Sequence, residues 1–219
     1  YVKVSEQNII RIPDGLSYLD AAATQVVVAT AWELVVVHTK VRQGEFVLVN
    51  AAGSGVGTAT IQMVRNAGGV VIATAGSDKK LDLAKDLGAR YGINYNKDNI
   101  KDSIMDITNN KGVDVCIEMV GGTVLQQSIE ALAYNGRLAT CGAHAGEKVE
   151  LDIIEIFRKQ ITISGNHFSP KANNEKALNL VAHGIVKPII AKNFPLSEMS
   201  EAHKLVASRD FFGKVVLEV

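Results

Sequence analysis

One stretch decides the fold: EFVLVNAAGSGVGTATIQMVRNAGGVVIATAGSDKK at residues 45–80, in which a glycine-rich turn joins an apolar run to a helical pattern. The run Phe46–Val49 is uninterrupted and apolar, which is typical of a buried strand. After the turn, apolar residues recur three and four positions apart, at Val56, Ala59 and Met63, as on one face of a helix. A second apolar run, VVIA, follows. The order strand, turn, helix, strand predicts two parallel strands joined by a right-handed crossover.

The same alternation continues along the chain. Further short apolar runs lie at 113–117, 137–141 and 161–164, and the helical pattern after the second strand closes at Gly88, a residue type common at helix C-termini. Alternating strands and helices predict an α/β protein with a Rossmann-type doubly wound parallel sheet, covered by helices on both faces. In such open sheets ligands bind at the carboxyl ends of the strands.

The two ends of the chain depart from this pattern. A Pro-Asp-Gly turn precedes a helical pattern over 19–37, which predicts one long helix. Beyond residue 164 the sequence predicts a loop, a helix, a strand, a helix and a final strand, at 165–174, 175–183, 189–193, 197–208 and 214–219. We expect this tail to belong to a second fold unit.

Composition excludes several classes of partner. The 219 residues carry 23 Lys and Arg against 23 Asp and Glu, giving a formal net charge of +0, so we expect neither nucleic acid nor a membrane surface. A hydrophobic content of 47% is enough to fill a core. Cys116 and Cys141 each lie inside an apolar run, which indicates reduced thiols and a cytoplasmic location rather than a disulfide framework.

The glycine-rich turn is a candidate phosphate-binding site. Gly53, Ser54, Gly55, Val56 and Gly57 lie between strand and helix, where backbone N–H groups at a helix N-terminus can approach a pyrophosphate without obstruction by a Cβ. A tight strand-to-helix turn also needs glycine, so the turn alone leaves a purely structural role open. The strand before it and the helix after it favour cofactor binding.

Six segments, IPDGLSYLDAAA, TAW, AAGSGVG, ATAGSDKKLDLAKDLGA, INY and FGKVVL, carry a family resemblance. Together they resemble the cofactor-binding half of the medium-chain dehydrogenase/reductase superfamily, and AAGSGVG and TAGS are similar to its quinone reductase-like and alcohol dehydrogenase-like branches. Ala52 and Ser54 stand where the strict fingerprint has its first two glycines, while Gly57 keeps the third.

The resemblance implies an NAD(P)-dependent oxidoreductase and a division of the chain. Residues 1–30 would be a remnant of a catalytic domain and the start of a linking helix, 31–168 a dinucleotide-binding domain, and 169–219 a segment that returns to the catalytic domain. We expect the 219 residues to lack most of that catalytic domain, and no residue is assigned a catalytic role.

The tip of the second strand predicts which nicotinamide cofactor binds. NAD-preferring sites usually carry Asp or Glu about 20 residues beyond the glycines, and Ala75 stands at that place. A carboxylate would repel a 2′-phosphate, whereas a small residue followed by donors would accept it. NADP-dependent relatives line this pocket with residues that match Gly76, Ser77, Lys80 and Tyr95. We therefore expect NADP(H) to be preferred over NAD(H).

Asp78 is an unexpected residue in a pocket for a 2′-phosphate, because its side chain is a carboxylate. It stands where some relatives have Arg, and a shift of one turn would bring its carboxylate to the ribose. Its structural alternative is an acid in the first turn of a helix, which the helix dipole favours. Lys79 and Lys80 could likewise be a solvated helix start.

Further cofactor contacts are expected from position and from the resemblance. Those at the carboxyl ends of the fourth and fifth strands are Val120, Cys141 and Gly142. Those that the resemblance implies, in the loop after the sixth strand and at the last strand, are Asn166, His167, Phe168 and Lys214. A lone loop histidine and a lysine at a strand start are also common as plain surface residues.

The resemblance also bears on zinc and on the reaction. Zinc-containing relatives carry a Cys or Asp ligand four residues before the Thr of TAW, and Val26 at that place cannot coordinate a metal. We expect no zinc and a quinone or enoyl reductase-like oxidoreductase that transfers hydride between nicotinamide and a carbonyl or conjugated alkene. Two alternatives stay open: the cofactor domain of a zinc alcohol dehydrogenase, and a non-catalytic dinucleotide-binding module.

The last strand of the predicted sheet suggests a homodimer. The run KQITISGN, from Lys159 to Asn166, would form an exposed edge, and such edges tend to be paired or covered. The resemblance implies a two-fold contact that joins two such edges. Alternatively, Lys159 and Gln160 protect a solvated edge.

Overall fold

A parallel sheet lies at the centre of the protein. The structure is a computed structural model and describes residues 2–219. The strands of the sheet are β1 (Phe46–Val49), β2 (Val70–Ala75), β3 (Tyr91–Asn94), β4 (Val113–Glu118), β5 (Leu132–Thr140) and β6 (Thr162–Gly165). Their order is β3-β2-β1-β4-β5-β6, and each neighbouring pair is parallel. This arrangement confirms the Rossmann-type doubly wound sheet predicted from the sequence.

The winding of the sheet reverses at β1. In register, Val47 of β1 lies beside Val71 of β2 on one side and Val115 of β4 on the other. Because the crossovers on the two sides run in opposite directions, a crevice opens beyond the carboxyl ends of β1 and β4, where ligands bind in such sheets.

Helices cover both faces of this sheet. They are α1 (Tyr18–Thr24), α2 (Val27–Trp32), α3 (Gly55–Asn66), α4 (Asp78–Leu87), α5 (Ile100–Ile107), α6 (Gly122–Glu130), α7 (Ile153–Lys159), α8 (Lys171–Ala182) and α9 (Met199–Ser208). Since successive strand residues point to opposite faces, Val47 belongs to a core cluster with residues of α2, α3 and α8, while Leu48 belongs to another with residues of α5 and α6. Both residues are fully buried. The strands are therefore apolar on both sides, as expected for a parallel sheet.

The long helix expected over 19–37 is wrong, because the chain breaks at Gln25 and Val26. Val26 has φ 65°, and the helical segments on either side, Tyr18–Thr24 and Val27–His38, are bent by 46° relative to each other. A π-helix, Glu33–His38, continues directly from α2. The break directs α2 onto α3 and α8. Within residues 2–219 no single helix has the length and apolar character to cross a membrane, although this bent pair would meet both criteria.

Other boundaries also differ from the predictions. Strand β2 runs on to Ala75, and β5 begins at Leu132 through an irregular segment in which Asn135 has φ 60°. The predicted loop 165–174 is shorter, because α8 already begins at Lys171. Gly88, with φ 117°, ends α4 as predicted. The sequence reasoning set no bounds for α5, α6 and α7.

The tail forms a second, smaller sheet. Strands β7 (Ile190–Pro195) and β8 (Lys214–Glu218) pair in parallel and are connected through α9. This sheet is not continuous with the first, yet it is attached to the glycine-rich turn, because the Gly213 N–H donates to the Gly53 carbonyl over 2.8 Å. The start of β8 therefore lies against the loop that the sequence marks as a phosphate site.

Candidate cofactor site

The glycine-rich turn is shaped by the start of α3. Ser54 is the N-cap, and its hydroxyl oxygen accepts from the Gly57 N–H over 3.0 Å. Intrahelical bonding begins with the Thr58 N–H, which donates to the Ser54 carbonyl. The amides of Gly55 and Val56 precede that first bond, so they are the two donors that this helix end offers to an anion.

The three glycines of the turn are needed for different reasons. A Cβ on Gly57 would lie 2.3 Å from the Ala51 carbonyl oxygen, so this position holds α3 against the end of β1. A Cβ on Gly55 would meet the side chain of Lys214 at 2.6 Å. One on Gly53 would touch Phe212 at 3.2 Å. Gly57 thus serves packing, while Gly55 and Gly53 let the tail approach the turn closely.

A cleft of about 370 Å³ opens above this turn. Of the residues predicted from the sequence, it is lined by Gly53, Ser54, Ala75, Gly76, Lys80, Tyr95 and Val120. It is also lined by residues that the sequence reasoning missed: Ala51, His144, Val206, Arg209 and Phe211. The cleft therefore runs from the glycine turn to the tip of β2 and is closed on one side by the tail.

Basic residues line the cleft near the carboxyl end of β2. Ser77 caps α4, and its hydroxyl oxygen accepts from the Lys80 N–H over 3.4 Å. The Lys80 ammonium donates to the Arg209 carbonyl over 2.6 Å, across to the end of α9. Arg209 itself has φ 58°, a left-handed conformation that ends α9 and starts the turn into β8. Two basic residues from distant parts of the sequence, Lys80 and Arg209, thus both line the cleft.

Asp78 turns away from the cleft toward the end of β3. One carboxylate oxygen accepts from the Asn94 side-chain amide over 2.6 Å, and the other pairs with the Lys97 ammonium. The hydrogen bond from Lys97, followed by that from Asn94, lowers the pKa of Asp78 below its usual value. Asp78 also starts α4, in agreement with the first-turn role considered from the sequence.

The opposite wall of the cleft rests on a buried carboxylate, Glu118, at the end of β4. One of its oxygens accepts from the N–H groups of Val120 and Gly121, over 2.6 and 3.0 Å. The other accepts from the Thr140 hydroxyl over 3.2 Å. Glu118 thereby fixes the turn after β4 and ties it to β5. Sequence reasoning missed this residue. A carboxylate inside an apolar strand must have hydrogen-bond partners, and this requirement could have identified Glu118.

The two cysteines are poor nucleophiles. Burial, and then the nearby Glu118 carboxylate, raises the pKa of Cys141 to about 11. Burial also raises the pKa of Cys116, a fully buried residue of β4. Cys141 and Gly142 follow β5 directly, and a Cβ on Gly142 would lie 2.8 Å from the Met119 carbonyl oxygen. Cys141 and Gly142 therefore pack against the turn after β4, which forms one wall of the cleft.

The remaining predicted residues lie outside the lining of this cleft, and they include Gly55, Val56 and Gly57 of the glycine-rich turn. Asn166 is within 3.3 Å of the His38 ring at the end of the π-helix. His167 and Phe168 are exposed, and Lys214 lies with its alkyl chain over Gly55. Ser77 lines an adjacent cleft with Lys79 and the tail rather than this one. Within residues 2–219, no three His, Cys, Asp or Glu side chains are grouped to hold a metal ion.

Comparison with known proteins agrees with this geometry. Residues 55–183, more than half of the chain, match the family described as zinc-binding dehydrogenase. The chain belongs to this family, within the medium-chain dehydrogenase/reductase superfamily. Its superfamily relatives include quinone oxidoreductase-like protein 2 of Rattus norvegicus, which is 32% identical over 224 residues, covering 98% of this chain and 64% of the rat protein.

Solved structures of the superfamily share the fold. The crystal structure of an NAD-dependent alcohol dehydrogenase is 38% identical, with a TM-score of 0.91, over 99% of this chain and 63% of the other. That of the 2-octenoyl-CoA carboxylase reductase CinF, in complex with NADP and 2-octenoyl-CoA, is 26% identical with a TM-score of 0.85, over 95% and 51%. The chain thus spans less than two thirds of the length of these proteins, and it corresponds to their cofactor-binding half.

Proposed function

We propose that this chain is the NADP(H)-binding part of a zinc-independent, quinone or enoyl reductase-like oxidoreductase. The observation that carries the proposal is the end of the cleft at β2, where Lys80, Tyr95 and Arg209 converge beside Ala75. A carboxylate at position 75 would repel a 2′-phosphate, and its replacement by a methyl group removes that repulsion. Two cations and a phenol then offer charge-assisted hydrogen bonds to the phosphate.

The rest of the cleft suits the remainder of a dinucleotide. Beside the cleft, next to its lining residue Ser54, the free amides of Gly55 and Val56 at the start of α3 would bind the pyrophosphate, aided by the positive end of the helix dipole. The wall at Val120 and His144 would orient the nicotinamide side. When bound, the cofactor supplies a hydride for a carbonyl or conjugated alkene. The chain's own part is to bind, orient and exclude water.

The reductase assignment also draws on the relatives. The rat protein is named for quinone oxidoreduction, and the 26% identical carboxylase reductase was solved with both NADP and an enoyl thioester. The alkyl side chain of Val26 is the reason for proposing zinc independence. A second candidate is the cofactor domain of an NAD-dependent alcohol dehydrogenase, which the 38% identical structure favours. The division at residues 30 and 168, with substrate contacts supplied by a catalytic domain, remains part of the proposal.

Fluorescence titration with NADPH and NADH tests the proposal. We expect NADPH to bind more tightly, and Lys80→Ala to weaken NADPH binding by about 1–3 kcal/mol through loss of a charge-assisted contact, with little effect on NADH. Lys79→Ala is the matched control, because Lys79 lines the adjacent cleft and not this one. Equal affinities for the two cofactors, or a tighter NADH, would contradict the proposal and favour the alcohol dehydrogenase alternative.

A further inference from the structure

We propose that Lys97 is a specificity residue for the 2′-phosphate, because it neutralises the Asp78 carboxylate and holds it away from the cleft. This inference rests on the proposed function and adds a residue that does not line the cleft itself. The negative charge of Asp78 conflicts with the binding of a phosphate nearby. An acid lies two residues after Gly76, at the place where a phosphate is expected to bind.

The conflict is resolved by contacts from the turn after β3. Both oxygens of Asp78 are engaged, one by the Asn94 amide and the other by the Lys97 ammonium. Asn94 is nearly fully buried at the end of β3, and its side-chain oxygen Oδ1 accepts from the Asn96 N–H over 3.2 Å. The amide of Asn94 is therefore fixed with its NH₂ group toward Asp78, so the carboxylate has a rigid partner as well as a charged one.

The same turn also holds the lining of the cleft. The Asn96 side-chain amide donates to the Gly76 carbonyl over 2.8 Å. The Tyr95 ring covers Gly76 so closely that a Cβ there would lie 2.8 Å from the phenol oxygen. The turn at 94–97 thus positions Tyr95 on the cleft side of the β2 tip and Lys97 on the far side. Lys97 reaches Asp78 without entering the cleft.

The charges explain why this pairing favours a phosphate. An ionised Asp78 without its partner would add repulsion to a group carrying nearly two negative charges. The carboxylate oxygen released by Lys97 would also be free to accept from ribose hydroxyls, as the acid of NAD sites does. Pairing with Lys97 removes both effects. The side chains of both residues are 62% exposed, so the effect on affinity is modest and screened by salt.

A double-mutant cycle tests the inference in the 219-residue chain. The variants are Lys97→Gln, Asp78→Asn and the double variant, each titrated with NADPH and NADH at low salt. We expect Lys97→Gln to weaken NADPH binding by roughly two- to fivefold, the scale of exposed ion pairs, and to leave NADH binding equal or tighter. Asp78→Asn should keep NADPH affinity, and the double variant should match Asp78→Asn, because no carboxylate then remains to be neutralised.

Three results would overturn the inference. An unchanged NADPH affinity in Lys97→Gln would mean that the pair has no role in recognition. A double variant as weak as Lys97→Gln would mean that Lys97 contacts the phosphate directly. An equal loss of NADPH and NADH would indicate that the turn is only structural. Failure of the proposed function is separate: it would be seen in the unmodified chain, as equal affinity for the two cofactors.

Discussion

At the scale of single residues, Gly57 illustrates how the sequence of the turn is constrained by packing. Its backbone does not need a positive φ, so the reason for glycine is the nearby Ala51 carbonyl. We expect Gly57→Ala to lower the free energy of unfolding by about 1–3 kcal/mol, the usual cost of overpacking. Chemical denaturation measures this change.

Gly165 provides the control for that substitution. A Cβ added there would have no atom within 4 Å, and its φ is not positive, so Gly165→Ala should leave stability nearly unchanged. If the two variants unfold at the same denaturant concentration, the close approach of α3 to Ala51 is not what requires glycine at position 57.

Single residues also mark the limit of sequence reasoning about the site. Ala75 could be assigned from its position at the end of β2. Gly76, Lys80 and Tyr95 could be assigned because they match residues that the family resemblance places in this pocket. Arg209 could not, because it reaches the cleft from the far end of the chain through the packing of the tail. Local patterns do not encode such a contact.

At the scale of elements, the broken first helix shows a second limit. The apolar pattern runs through 19–37 without Pro or Gly, so periodicity predicts a single helix. The break falls on Val26, a β-branched residue for which a φ of 65° is strongly disfavoured. Tertiary packing of α2 on α3 and α8 outweighs this local cost. Strand positions were easier to predict, because buried parallel strands are short apolar runs bounded by turns.

The free edge of β6 remains the basis for a proposed homodimer. Its outward side is apolar, with Ile163 40% exposed and Phe157 on the adjacent α7 66% exposed. The Asn166 N–H donates to Thr140 in β5, and N–H groups alternate in direction along a strand. The N–H of Ile163 therefore points to the free edge, where a second copy could accept from it.

Ile163→Pro tests this contact, because it removes that donor while keeping the bonds to β5. We expect the unmodified chain to sediment as a dimer and the variant as a monomer with unchanged circular dichroism. Thr162→Pro is the comparison, since it removes an N–H that faces β5 and should destabilise the fold instead. A concentration-independent monomer for the unmodified chain would refute the dimer.

At the scale of the whole molecule, the cleft is shared between the six-stranded sheet and the tail. The six-stranded sheet supplies the glycine turn and the tip of β2, while the tail supplies Val206, Arg209 and Phe211. Gly213 makes the junction possible: its φ is 100°, and a Cβ there would lie 2.2 Å from the Ile189 carbonyl oxygen. The division predicted at residue 168 stays a prediction, and residues on both sides of it line the candidate site.

The central claim, that this cleft holds the dinucleotide, is tested most directly by amide chemical-shift mapping of the ¹⁵N-labelled chain during titration with NADP⁺. We expect the largest shifts at Gly53 and Gly76, which line the cleft, at Gly55 in the turn beside it, and at Gly213 in the junction with the tail. The distant Gly184 should keep its position, because it lies in the turn after α8. Saturable shifts confined to the cleft, the glycine-rich turn and the junction with the tail would support dinucleotide binding here. Shifts elsewhere on the molecule, or none at millimolar cofactor, would contradict it.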